Sequence, residues 1–198
     1  MSEHDVVLSG PIVRLEPVRV EDAAELWALT DDALWAGMTA PRPASVGAYA
    51  AHIAGQLEAP GVLAFTVRDA ATGEVRGSTT FYDLTPAQKR VEIGSTWYGR
   101  AFWGGPTNPA AKLLLFTHAF DVLGLNRVAL RCDARNTRSA AAIQRLGAKP
   151  EGVLRAHRIA ADGSVGDTAY FSVLREEWPA VRAGLEARLS AGSSAADS

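Results

Sequence analysis

The stretch Val91-Glu92-Ile93-Gly94-Ser95-Thr96-Trp97-Tyr98-Gly99-Arg100-Ala101-Phe102-Trp103-Gly104-Gly105-Pro106-Thr107-Asn108-Pro109 changes character twice. Val91 to Tyr98 reads as a strand. Gly99 to Asn108 is a glycine-bearing loop, and residues 109–123 form an almost uniformly apolar helix. Asn108 reads as the N-cap and Pro109 as the first helical residue. A glycine loop at a helix N-terminus presents free backbone N–H groups and the positive end of the helix dipole, a place for an anion, usually phosphate. Arg100, and Lys112 one turn into the helix, add positive charge. The same glycines equally serve a tight strand-to-helix turn.

Downstream, Arg127 to Cys132 reads as a strand and Thr137 to Leu146 as a helix, with Asn136 as its cap and Gly147 as its stop. Strand 91–98, the apolar helix and strand 127–132 make a β-α-β crossover, expected to be right-handed. Strands 152–159 and 168–175 flank a turn at Asp162-Gly163. A closing helix carries Trp178, Val181 and Leu185 on one stripe, with Pro179 in its first turn. Periodicity lapses after Leu189, so residues 184–198 are expected to fray.

Upstream, Ile12 to Glu16 reads as a strand. Asp22 with Glu25 reads as a capping-box variant before a helix with Ala23, Leu26 and Trp27 on one face. A helix from Ser45 places Val46, Tyr49, Ala50, Ile53 and Leu57 at helical spacing and stops at Pro60-Gly61. Between these helices, Asp31–Pro43 has no clear period. Leu63, Phe65 and Val67 alternate, as do Val75, Gly77, Thr79 and Phe81, and with strand 91–98 they make an antiparallel meander. The fold class is α/β in the broad α+β sense. A mixed, mostly antiparallel sheet carries a central β-α-β crossover and helices on both faces, in one domain over 1–183.

The 198 residues suffice for one compact domain. With 47% hydrophobic and 21% charged residues, a disordered, collagen-like or disulfide-scaffold chain is excluded. Twenty Lys+Arg against 22 Asp+Glu give a net charge of −2, and only three of those cations are lysines. No bulk field draws the chain to nucleic acid or an acidic membrane. The single Cys132 alternates with Val128 and Leu130 as a core residue does, and no Cys/His cluster has metal-ligand spacing. The start, Met-Ser-Glu-His-Asp, carries acid where a signal peptide carries base, and no apolar run approaches the roughly 20 residues of a membrane span. The expected location is cytoplasmic. Neither G-x-x-x-x-G-K-[ST] nor G-x-G-x-x-G is present, which removes the common nucleotide sites.

The element order, the segments Glu92-Ile93-Gly94-Ser95-Thr96-Trp97 and Asn108-Pro109-Ala110-Ala111-Lys112-Leu113-Leu114-Leu115, and Asp133-Ala134-Arg135-Asn136 with Ser139 and Leu146-Gly147-Ala148 together resemble the GNAT superfamily of acetyl-CoA-dependent N-acetyltransferases. The likeness spans roughly residues 10–180 and is strongest to the RimJ/RimL type, which acetylates protein N-termini. It implies acetyl-CoA as cosubstrate, with its pyrophosphate on the loop of Arg100, Trp103, Gly104, Gly105, Thr107 and Asn108, aided by Lys112. Its pantetheine arm would lie beside strand 91–98 and hydrogen-bond Asn136, and a backbone N–H near Thr96 and Trp97 would face the thioester oxygen. Glu92 is the candidate base, with Asp133 and Glu151 as rivals, and it reads equally as a sheet-edge glutamate. Ser139 is the candidate proton donor to the thiolate, or a local backbone binder. Trp35, Met38 and His157 are candidates for the acceptor pocket.

The acceptor implied is a primary amine, either a protein or peptide N-terminus or a small molecule such as an antibiotic. A CoA-binding module with little catalysis is the alternative from another class, and a homodimer is left open. Three positions depart from the family pattern. Pro106 follows Gly104-Gly105 where a glycine with an N–H is usual, Ile143 stands where many members carry a tyrosine acid, and Ala148 follows Gly147 where phenylalanine is usual.

Overall fold

The computed structural model describes residues 4–38, 40–160 and 162–194. The strands are β1 (Leu8–Ser9), β2 (Val13–Pro17), β3 (Leu63–Asp69), β4 (Val75–Thr85), β5 (Arg90–Tyr98), β6 (Arg127–Asp133), β7 (Lys149–Ile159) and β8 (Val165–Leu174). The helices are α1 (Ala23–Ala28), α2 (Asp32–Trp35), α3 (Val46–Glu58), α4 (Thr107–Thr117), α5 (Thr137–Arg145) and α6 (Trp178–Ser194). One eight-stranded sheet runs β1-β2-β3-β4-β5-β6-β8-β7. Among the described residues only β5 and β6 pair in parallel, joined by α4, so the meander and the crossover stand as the periodicity predicts.

Two apolar clusters cover the two faces of the sheet. One joins Phe65, Phe81 and Ile93 to Leu115 and Phe116 of α4 and to Trp178, Val181 and Leu185 of α6. The other joins Leu26, Trp35, Tyr49 and Ile53 of α1–α3 to Ala64, Val75 and Trp97. Burial of these faces is the main stabilising term, at about 25 cal/mol per Å² of apolar surface.

Several local expectations are corrected. Residues 184–194 are helical, since α6 continues to Ser194 with Leu185 buried and Leu189 packed on the core. Residues 195–198 of that segment, and the opening Met-Ser-Glu, lie outside the described residues. Asp22 does not cap α1. Its carboxylate accepts from the Arg19 N–H at 3.0 Å, the Thr66 hydroxyl at 2.7 Å and Arg68 at 2.6 Å, because a buried charge must be paired. The segment 31–43 is not wholly irregular, since Asp31 caps the short α2 by accepting from Leu34 N at 2.8 Å.

Helix α4 begins two residues early. Pro106 holds the cap position at φ −76° and Thr107 is the first helical residue. Pro109 is tolerated in that first turn because its nitrogen has no intrahelical acceptor to satisfy.

Candidate active site

β5 and β6 pair only from Arg90↔Arg127 to Ile93↔Leu130. Beyond Ile93 they part, and the cause lies in β5. Ser78 opposes Trp97 and Thr80 opposes Gly94, so two residues, Ser95 and Thr96, face the single Thr79. Ser95 takes the left-handed conformation, φ 43°. Such a bulge bends its strand and raises its twist. It also resets the alternation of side chains. Val91 and Ile93 point to the α4 face; after the bulge Tyr98 points there, and Trp97 points to the opposite cluster. The side of Gly94–Tyr98 that faced β6 is left without a strand partner.

The gap is the head of a cleft of about 1530 Å³. At one end lies the loop before α4. Gly104 adopts φ 76°, with open space where a Cβ would stand. Ala110 N donates to Pro106 O at 2.9 Å, the first internal bond of the helix. Two prolines leave Thr107 and Asn108 as the first-turn N–H donors, beside Gly104 and Gly105 of the loop. Arg138 stacks 3.7 Å over the Trp103 indole and lines this mouth. Neither periodicity nor spacing singles out Arg138.

Among the residues expected here, Trp103, Gly104, Gly105, Asn108, Thr96 and Asn136 do line the cleft. Arg100 and Thr107 do not. The Arg100 guanidinium forms a bidentate pair with Asp31 at 2.5 and 2.8 Å, which takes up the charge expected to meet an anion. The Thr107 side chain is buried and accepts from Arg76 at 3.0 Å. Trp97 contributes backbone to this region, while its ring packs 6.1 Å from Trp35 and 6.5 Å from Tyr49. Lys112 reaches the cleft only from beneath, as described below.

In the middle of the cleft, Glu92 is 9% exposed. Its Oε1 lies 2.7 Å from Arg131 Nε, a charge contact without hydrogen-bond geometry. Burial pushes its carboxyl above the usual range, and Arg131 opposes the shift only in part. Its rivals go the other way. Arg135 holds Asp133 down at about 2. Glu151 is held low by Arg127 and also accepts from Ser172 at 2.8 Å. Of the three, only Glu92 has its proton affinity raised by its surroundings.

Asn136 Oδ1 accepts from Ser139 N at 2.9 Å, so the cap is real and occupies that oxygen. Ser139 lines the cleft next to Cys132, whose thiol is raised by burial. Trp35 and Met38 form the opposite wall. Arg158, another residue without a sequence signal, donates to Met38 O at 2.9 Å and ties that wall to β7. His157 lies at the rim, bonded to Thr168 at 3.1 Å and edge-on to Tyr170, whose hydroxyl accepts from Arg131 at 3.1 Å. Among the described residues no group of His, Cys, Asp and Glu could hold a metal ion.

One cleft thus brings together the loop before α4, the unpaired edge of β5 and the buried carboxyl of Glu92. Known proteins are similar to this chain in sequence and in fold. A Bacillus subtilis protein provisionally named ribosomal N-acetyltransferase YdaF is 34% identical over 106 residues, 54% of this chain and 57% of that one. The chain therefore matches little more than half the length of that curated relative. A GCN5-related N-acetyltransferase from Brucella melitensis superposes with a TM-score of 0.87 at 32% identity, covering 97% of this chain and 91% of that one. Mycobacterium smegmatis RimJ, solved with CoA-disulfide, gives 0.75 at 25% identity over 92% and 93% of the two chains. The model of the acetyltransferase (GNAT) domain matches residues 13–149, and with these relatives on its RimJ/RimL side, the chain belongs to the GNAT acetyltransferase family.

Proposed function

We propose that this protein transfers the acetyl group of acetyl-CoA to a primary amine, that of a protein or peptide N-terminus, by direct attack in a ternary complex. The single observation that carries the reading is one continuous cleft. It joins the glycine loop at the start of α4, the unpaired edge of β5 and the buried Glu92. Gly104, Gly105 and Asn108 offer N–H groups to the pyrophosphate, with Arg138 as the adjacent cation. The free edge of Gly94–Tyr98 pairs the pantetheine amides, and a bulge N–H meets the thioester oxygen. When bound, acetyl-CoA supplies the activated acyl group.

The chain supplies the proton handling. An alkylammonium acceptor must lose a proton before its nitrogen can attack. Glu92 takes that proton, directly or through water. The C–N bond forms, the C–S bond breaks, and in this reading Ser139, which lines the cleft, protonates the departing thiolate. Ile143, lining the cleft, has no proton to give.

Asp31 is taken up by Arg100, and Asp32, its side chain 93% exposed, lies 3.4 Å from Arg42, so this loop offers a polycationic acceptor one loosely held carboxylate and not a pair. That favours an N-terminal amine over an aminoglycoside-like antibiotic. Calorimetric titration with acetyl-CoA, followed by a thiol-release screen of N-terminal peptides and small amines, tests the reading. Micromolar binding with turnover on peptides is expected. Binding without turnover on any amine would leave a CoA-binding module, and no binding would overturn the reading.

A further inference from the structure

Lys112 is only 3% exposed. Its side chain runs from α4 to the underside of the β5 bulge. There Nζ donates to Thr96 Oγ1 at 2.7 Å and approaches Thr79 Oγ1 at 3.4 Å. The two hydroxyls are themselves 2.8 Å apart. Among the described residues no carboxylate pairs with Nζ, and burial lowers the amine to about 7. A buried amine with two hydroxyl acceptors is an expensive way to fill space, and an apolar side chain of the same length would serve packing better. Its contacts, however, are specific. Thr96 is half of the bulge, and Thr79 is the one residue opposite it.

We infer that Lys112 is a positioning residue. Bonded to Thr96 and Thr79 from below, it holds the Ser95–Thr96 bulge in the geometry that turns the free edge of β5 into the cleft. The inference rests on the acetyl-transfer reading for its consequence in catalysis, and on the bulge alone for its consequence in structure. Without the bond, Thr96 is free to relax toward regular pairing. The N–H that should meet the thioester oxygen then moves, and a misplacement of about 1 Å can lower a rate by about 10²-fold.

The test uses Lys112→Met, Thr96→Val and the double variant, with Thr96→Ser as the rescue. Lys112→Met should melt at the wild-type temperature or above, because a buried amine is gone. It should lose about 10²-fold in kcat with little change in KM for acetyl-CoA. Thr96→Val, which leaves the lysine in place, should lose as much, the double variant no more than either, and Thr96→Ser should recover most of the loss. In ¹H–¹⁵N spectra without ligand, the Ser95, Thr96 and Trp97 amides should shift in Lys112→Met and Thr96→Val and return in Thr96→Ser. Unmoved amides, or a Lys112→Met enzyme with wild-type kcat, would overturn the inference. If wild-type protein fails to bind acetyl-CoA, the acetyl-transfer reading falls, and the amide shifts still decide for or against the bulge contact.

Discussion

Replacing Glu92 by glutamine separates chemistry from folding. The side chain is 11% exposed, and among the described residues its one ion pair is with Arg131, itself 41% exposed at the side chain. Glutamine fills the same volume, cannot accept a proton, and leaves Arg131 reaching solvent, so the lost pair is offset by the burial cost that the charge no longer carries. Against that small structural effect stands the loss of a general base, about 10²-fold or more in kcat, equivalent to about 2.7 kcal/mol of barrier.

The pH dependence follows from the raised pKa. A carboxyl raised in the folded state adds stability that is fully present below its unfolded pKa, near 4.5. That stability is lost as pH rises through the folded value. The variant does not titrate there. Its melting temperature should therefore match wild type at the acid end, gain on it through that window, and then hold a constant difference. In the wild-type enzyme kcat/KM should rise with pH along a limb above the ordinary carboxylate range, and glutamine should flatten it. Thiol release measured with one peptide acceptor at several pH values, alongside thermal melts, reads both effects. Unchanged kcat in Glu92→Gln would refute the assignment, whatever the melts show.

Gly104→Ala places a side chain at φ 76° in open space. The strain of about 1–2 kcal/mol relaxes in the free loop and returns on binding, so Kd for CoA should rise about tenfold by calorimetry with the melt unchanged. Gly147 sits at φ 98°, and an added Cβ would lie 2.8 Å from Val181 Cγ2. Gly147→Ala should therefore lower stability by about 2 kcal/mol, seen as a lower denaturation midpoint with the same slope. Cys132→Ala should keep wild-type turnover, since direct attack needs no thiol; a variant without activity would point to an acyl-cysteine intermediate instead.

Local pattern carried most of the architecture. Alternation in 63–67, 75–81 and 91–98 with short connections makes a meander, because neighbouring strands pair at little entropic cost. The Asn136 cap was legible for the same reason: its acceptor and its donor are three residues apart. So was the glycine loop before α4. Where the sequence pointed wrongly, the deciding partner was far away or competed locally. The capping carboxylate of Asp22 is claimed by Thr66 and Arg68. The free cation of Arg100 is claimed by Asp31.

By itself, then, the sequence determined the order of elements, the crossover and the family, all of which rest on short-range spacing. Tertiary structure alone decided the chemistry of the cleft. An extra residue in β5 opposite Thr79 sends Trp97 to one face and Thr96 to the other. It parts β5 from β6, and Lys112, expected at the phosphate, is found beneath the bulge. Burial lifts Glu92, while arginines hold Asp133 and Glu151 down. A proton affinity depends on which charges and how much water surround a group, and those neighbours come from strands and helices distant in the chain.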